Sequence, residues 1–228
     1  MTKKKNLPVL DNRETSLHVF DNQERRIHQA EYIAGFDEAG RGPLAGPLSC
    51  AGVILPKDFD CPLINDSKKL TDKQRREAYK IIKEKEKALC YCVKLIPVET
   101  IDERNILEAD RYGRRECLKE ISKTIVPDFL ITDYRNLPTE IPFLSIPKGD
   151  ATSLNVAAAS ILAKVTRDDY RIELDKRYPL YQFKKNKGYG TKQHLKAIED
   201  YGYIKGVHRL SFEPVKDRFL GIEQLKLF

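Results

Sequence analysis

The sequence predicts an α/β domain on a mixed sheet, and three observations carry that expectation. Two short runs rich in β-branched and aromatic residues, "YIAGFDE" and "LSCAGVILP", follow one another across a single Gly-Arg-Gly-Pro turn. Three further runs of this kind come later, separated by long charged or amphipathic stretches. The 228 residues hold no internal repeat and no low-complexity linker. Strands that alternate with helices build layered α/β folds, and a pair joined by one tight turn adds an antiparallel member.

Residues 1–30 are polar and charge-rich, and are expected to form an arm or a peripheral helix around "DNQERRIHQAE". "TDKQRREAYKIIKEKEK" opens on Thr71 or Asp72 as a cap and reads as a charged surface helix. "ALCYCVKLIP" is a third strand. "PVETIDERNILEADRYGRRECLKEIS" places Ile101, Ile106, Leu107 and Leu118 at helical spacing and predicts a long helix. "PDFLITD" and "FLSIPKGD" are the fourth and fifth strands. The Ala-rich "TSLNVAAASILAKVTRDDYRIELDKRY" is a helix capped by Thr152 or Ser153. Beyond Pro179 the pattern turns basic and aromatic, "YQFKKNKGYGTKQHL", and then to short helical pieces. The expected organisation is an arm over 1–30, a core domain over 31–178 and a helical extension over 179–228.

Composition narrows the function classes. Apolar residues make up 41% and charged residues 33%, as in a soluble globular protein. Lys and Arg outnumber Asp and Glu by 41 to 34, a net charge of +7 that suits a polyanionic partner without demanding one. No apolar run is long enough to span a bilayer, and no signal peptide follows the basic MTKKKN start. Five cysteines without a C-x-x-C pair read as small core side chains in a reducing cytoplasm, Cys90 and Cys92 on one strand face.

The acids carry the chemistry. Asp37 and Glu38 sit side by side at the end of the first strand, and Asp133 ends the fourth. On the Ala-rich helix Leu154, Ala158, Ile161, Val165 and Ile172 form an apolar stripe, and either Asp168 or Asp169 lies beside it. An acid there requires a partner or a metal. His18, His28, His194 and His208 make no H-x-x-H pair and read as surface or supporting groups. An all-oxygen set suits Mg²⁺ or Mn²⁺, and converging acids that hold two such ions are a general solution for phosphodiester hydrolysis. "GRGPLAG" is not a nucleotide fingerprint, because Pro43 removes a backbone donor, and no G-x-x-x-x-G-K-[ST] occurs.

Five blocks, "GFDEAGRGPLAGP", "DSKKLT", "KGDATSLNVAAASILAKVTRD", "NKGYGTKQHL" and "HRLSFEPV", resemble bacterial ribonuclease HII in the family's order, from about Tyr32 to about Val215. The resemblance implies a ribonuclease H-like fold with a helical C-terminal region. It implies cleavage of the RNA strand of RNA–DNA hybrids and incision 5′ of single ribonucleotides in duplex DNA, with Mn²⁺ or Mg²⁺ as cofactor. Asp37, Glu38, Asp133 and Asp168 match the family's metal-binding acids. Gly40, Arg41 and Gly42 resemble the loop whose backbone reads a ribose 2′-hydroxyl, Tyr189 the tyrosine that stacks on a sugar, and Ser67, Lys68 and Lys69 phosphate contacts. Tyr134 departs from the family, which commonly has Gly after the third acid. Ribonuclease HIII also resembles this group, but carries an extra N-terminal domain and a different loop after its first acids. A binding module with a vestigial site would lack one of the four acids. Finally, "QLKLF" resembles a clamp-binding pentapeptide, so Gln224, Leu225, Leu227 and Phe228 are expected either to tether the enzyme to a sliding clamp or to pack on the domain. A monomer is expected.

Overall fold

In a computed structural model of the chain, residues 16–59, 61, 63–64, 70–84 and 88–219 are described. All five expected strands form: β1 (Ile33–Ala39), β2 (Leu48–Ile54), β3 (Cys90–Ile96), β4 (Phe129–Asp133) and β5 (Phe143–Ile146). They make one sheet in the order β3-β2-β1-β4-β5. β1 pairs antiparallel with β2 across the Gly-Arg-Gly-Pro turn, and β2 antiparallel with β3. β4 lies parallel to β1, and β5 parallel to β4. The sheet is therefore mixed, with three neighbouring parallel strands whose carboxyl ends share one edge.

Helices cover both faces. Alternation along β1 sends Ala34 and Phe36 to one side, where they pack with Ala109, Cys117 and Ile121 of α3 (Val98–Ile121). Ile33 goes to the other side, against Val156 of α4 (Leu154–Arg177). Ala157, Ala158 and Ala159 of α4 are fully buried, and such small side chains let the helix lie close on the sheet. Gly35 is needed at the crossing: a Cβ there would come 2.3 Å from the backbone of Asn155. Ser153 caps α4 by accepting the Val156 N–H, and Thr71 forms a reciprocal capping box with Gln74 at the start of α2 (Asp72–Lys83).

Three local features depart from the sequence pattern. The predicted peripheral helix is α1 (Ser16–His28), and it is docked through buried Leu17 and Asp21, whose carboxylate accepts both the backbone and the side-chain N–H of Asn155. α3 is broken at Asn105, whose backbone is left-handed (φ +64°) and whose side chain caps the next turn by accepting from Leu107 and Glu108. The buried face of α4 rotates after Val165 from the predicted stripe to Arg167, Arg171 and Leu174. The cause is the chain beyond Pro179, including α5 (Phe183–Asn186) and α6 (Lys192–Tyr201), whose Tyr181, Phe183 and Ile198 form a separate core with Leu44, Leu174 and Val207. α7 (Val215–Phe219) follows. Among the described residues no helix is long and apolar enough to cross a membrane.

Candidate active site

The parallel pairing of β1 with β4 runs to Phe36 opposite Thr132, so Asp37 and Asp133 leave the sheet side by side one step further on. Adjacent strands lie about 4.8 Å apart, so the charge of Asp133 bears on Asp37. Asp37 is only 5% exposed. Burial, then the negative charge of Glu38, push its carboxyl up to about 7; Asp133 adds to this, while Ser160 and Arg114 oppose it. A buried carboxyl raised in this way is a group that a cation would stabilise.

The adjacent acids of the sequence are separated by the pleat. Asp37 faces α4, where Ser160 hydrogen-bonds to it. Glu38 faces α3, where Arg114 bonds it directly. Arg114 is fully buried and also binds Asp110 (2.9 Å) and the Asp133 carbonyl (3.4 Å), which ties the ends of β1 and β4 together. Burial, with Asp110 adding to it, raises the carboxyl of Glu38 above its ordinary value, while the Arg114 and Arg41 guanidinium groups oppose that rise.

A further acid belongs to this edge. Asp150 lies on the 3₁₀ turn Gly149–Ala151 just beyond β5, is 1% exposed, and pairs with Lys164 at 3.7 Å. The preceding Gly149 N–H donates to Asp133 Oδ1 at 2.8 Å. Lys164 is one helical turn from Ser160, so Asp150 and Asp37 are held by neighbouring turns of one α4 face. Asp168 is placed elsewhere. It lies two turns beyond Ser160, about 12 Å along the helix, and accepts from Arg171 at 2.8 Å in a cleft shared with Arg75, Arg76, Lys184 and Lys187. The structure thus groups Asp37, Glu38, Asp133 and Asp150, and sets Asp168 among cations. Each of the three parallel strands ends near one of the grouped acids, a signal present in the sequence once the strand order is known.

The donors are carboxylate oxygens, the kind that Mg²⁺ and Mn²⁺ prefer. Among the described residues no three acidic, His or Cys side chains close around one point. That arrangement suits a hard cation which takes one or two carboxylates and completes its shell with water and substrate phosphate oxygens.

Beside the acids stands the Gly40-Arg41-Gly42 loop. Gly40 is left-handed (φ +95°), and a Cβ there would come 2.0 Å from Arg167 Nε, so only glycine fits. A Cβ on Gly42 would lie 3.3 Å from the ring of Tyr189, which puts that half-exposed ring against the loop. The Arg41 side chain reaches Glu38 and Asp110 at 3.7 and 3.9 Å. Tyr134, next to Asp133, is 64% exposed and left-handed (φ +53°), a conformation in which glycine is unstrained. His194 and His208, expected as surface or supporting groups, are buried and bonded to each other at 3.1 Å. Ser67, Lys68, Lys69 and the tail residues Gln224, Leu225, Leu227 and Phe228 lie outside the described residues.

A mixed five-stranded sheet with this topology, covered by helices and carrying carboxylates at the ends of its parallel strands, defines a ribonuclease H-like enzyme. The family profile for Ribonuclease HII matches residues 34–215. A Ribonuclease HII from Bacillus cereus (strain AH820) is 50% identical over 186 residues, 82% of this chain and 70% of that protein. Among solved structures, ribonuclease H2 from Pyrococcus horikoshii OT3 superposes with a TM-score of 0.69 at 27% identity, covering 82% of this chain and 96% of the other. The RNase HII of a PCNA:RNase HII complex from Archaeoglobus fulgidus gives 0.61 at 26% identity, covering 74% and 87%. The chain belongs to the ribonuclease HII family, and it is an endoribonuclease of the ribonuclease H class that acts on RNA–DNA hybrids.

Proposed function

We propose that the enzyme also incises 5′ of single ribonucleotides embedded in duplex DNA, and that Asp37, Glu38, Asp133 and Asp150 are its catalytic carboxylates. The observation that carries this reading is the raised carboxyl of Asp37, buried beside Glu38 and Asp133 at the shared end of parallel strands. The cofactor is a divalent cation, Mn²⁺ or Mg²⁺, held by these acids. When bound in a pair, such ions make a nucleophile of water and stabilise the leaving 3′-oxygen, giving 5′-phosphate and 3′-hydroxyl ends. The chain's own contribution is placement. Arg114 holds Glu38, Ser160 orients Asp37, and the Gly149 N–H orients Asp133.

Selection of the substrate falls to the Gly40-Arg41-Gly42 loop, whose glycines leave its backbone open to close approach, for reading a 2′-hydroxyl, the one handle that marks a ribonucleotide in DNA. Tyr189 offers its exposed ring to the neighbouring sugar. Ser67, Lys68 and Lys69 contact phosphate. Asp168, with Arg75, Arg76, Arg171 and two lysines around it, belongs to the phosphate-facing surface and not to the cation site. Gln224, Leu225, Leu227 and Phe228 tether the enzyme to a sliding clamp, a reading supported by the Archaeoglobus fulgidus complex with PCNA.

Single-turnover cleavage tests the carboxylates. Asp37→Asn and Asp150→Asn should each lower the rate by about a hundredfold or more, the scale of a lost transition-state contact. Asp168→Asn should stay within about tenfold of the parent rate, because a part-exposed charge paired with Arg171 acts on the substrate mainly through weak, screened electrostatics. Full activity in Asp150→Asn together with its loss in Asp168→Asn would reverse the assignment of the fourth acid.

A further inference from the structure

His208 and Arg209 open the "HRLSFEPV" block, which the chemistry above leaves without a task. Arg209 has no exposed surface, yet it lies far in sequence from the loop it touches. Its Nη2 donates to the Gly40 carbonyl at 2.6 Å and its Nη1 to the Arg41 carbonyl at 2.9 Å. Nε and Nη2 both reach the Gly46 carbonyl, at 3.0 and 2.9 Å. One planar guanidinium thus gathers both ends of the Gly40–Gly46 loop on its inner side. The guanidinium packs over the Phe212 ring. Its chain is pinned from behind by Asp102, which accepts the N–H groups of Leu210 and Ser211 and the Ser211 hydroxyl.

The direction of those carbonyls decides where the amides point. In a trans peptide the C=O and the following N–H are antiparallel. Carbonyls of Gly40 and Arg41 drawn inward to Arg209 therefore turn the N–H groups of Arg41 and Gly42 away from it, and the Tyr189 ring lies against Gly42. The adjoining residue secures the tyrosine's turn. Ile204 N–H donates to His208 Nδ1 (2.8 Å), His208 bonds His194 through the two Nε2 atoms, and His194 Nδ1 donates to the Tyr189 carbonyl (2.9 Å).

We propose that Arg209 is the positioning residue for ribose selection: by holding the Gly40 and Arg41 carbonyls it presents the Arg41 and Gly42 amides to the 2′-hydroxyl. This rests on the reading that the loop recognises that hydroxyl. The sequence places the specificity device in the loop; the structure places its control about 170 residues away, in a residue that touches no substrate.

The test is binding in EDTA, where nothing is cut, of two short duplexes that differ by one 2′-hydroxyl. The parent protein should favour the ribonucleotide duplex by about tenfold, the worth of one or two well-made hydrogen bonds. Arg209→Lys keeps the charge but offers a single point of donation, which cannot span three carbonyls. It should bind both duplexes within about twofold of each other, with unchanged affinity for all-DNA, since phosphate attraction does not depend on the loop. Equal binding by the parent protein would remove the underlying reading. A parent that discriminates and an Arg209→Lys protein that discriminates equally well would overturn the role of Arg209 alone. If Arg209→Lys does not fold, Asp102→Ala decides, because it frees the Leu210–Ser211 anchor from the protein surface: reduced discrimination supports the proposal and unchanged discrimination overturns it.

Discussion

Arg114 holds several parts of the site at once. It is fully buried and pairs with two acids, Asp110 and Glu38, while bridging the ends of two strands. Removing one partner of a buried ion pair leaves an uncompensated charge and costs about 3–5 kcal/mol. For a chain of this size each kcal/mol shifts the midpoint by about 2–4 °C, so Arg114→Ala should melt roughly 6–20 °C lower in a thermal scan. A shift of a degree or two would show that the pair contributes little. At this scale the sequence was partly legible. Asp37, Glu38 and Asp133 announce themselves as acids at strand ends. Asp150 does not, because it sits on a short 3₁₀ turn between elements, where neither period 2 nor period 3.6 singles out a residue. The helical stripe left Asp168 and Asp169 open and the family resemblance selected Asp168; beyond Val165 the C-terminal segment turns the buried face of that helix toward Arg167 and Arg171.

At the scale of elements, β-branched runs located every strand, and caps or apolar spacing located α2, α3 and α4. What they could not show is a buried polar network. His194 and His208 look like surface residues in a basic segment, yet Tyr181 and Phe183 pack around them and each ring nitrogen has a partner. The partners imply two neutral rings: His208 accepts from Ile204 and donates to His194, which donates to the Tyr189 carbonyl. Burial, and then the neighbouring His194, push His208 down to about 3, and burial lowers His194. The folded protein therefore binds fewer protons than the unfolded chain between pH 3 and the ordinary histidine value of about 6.5. Stability is full above that value and falls as the pH drops through it, by up to about 1.4 kcal/mol per unit for each histidine. Urea titrations at pH 7.5 and 5.5 should show this loss, and His208→Asn, which can still accept the Ile204 N–H, should flatten it. An equal pH dependence in the two proteins would mean that other groups dominate.

At the scale of the molecule, three parallel strand ends gather the acids, while the chain beyond Pro179 crosses back to hold the loop that faces them. On the proposed reading, hydrolysis and selection are built on separate parts of one core. The tail after Phe219 adds a third part with its own test. Deleting residues 224–228 should abolish binding to a sliding clamp while leaving cleavage of a short duplex unchanged; lost cleavage with a lower melting temperature would make the tail part of the fold. A net charge of +7 favours both kinds of duplex alike, so selection shows in affinity only as a modest difference between them. Cleavage reads it directly. The decisive measurement is the cutting rate, with Mg²⁺ or Mn²⁺ present, of a DNA duplex carrying one ribonucleotide against the same duplex with deoxyribose at that position. The expected result is a single cut on the 5′ side of the ribonucleotide and none in the all-DNA duplex, whereas comparable cutting of both would contradict ribose selection at the Gly40-Arg41-Gly42 loop.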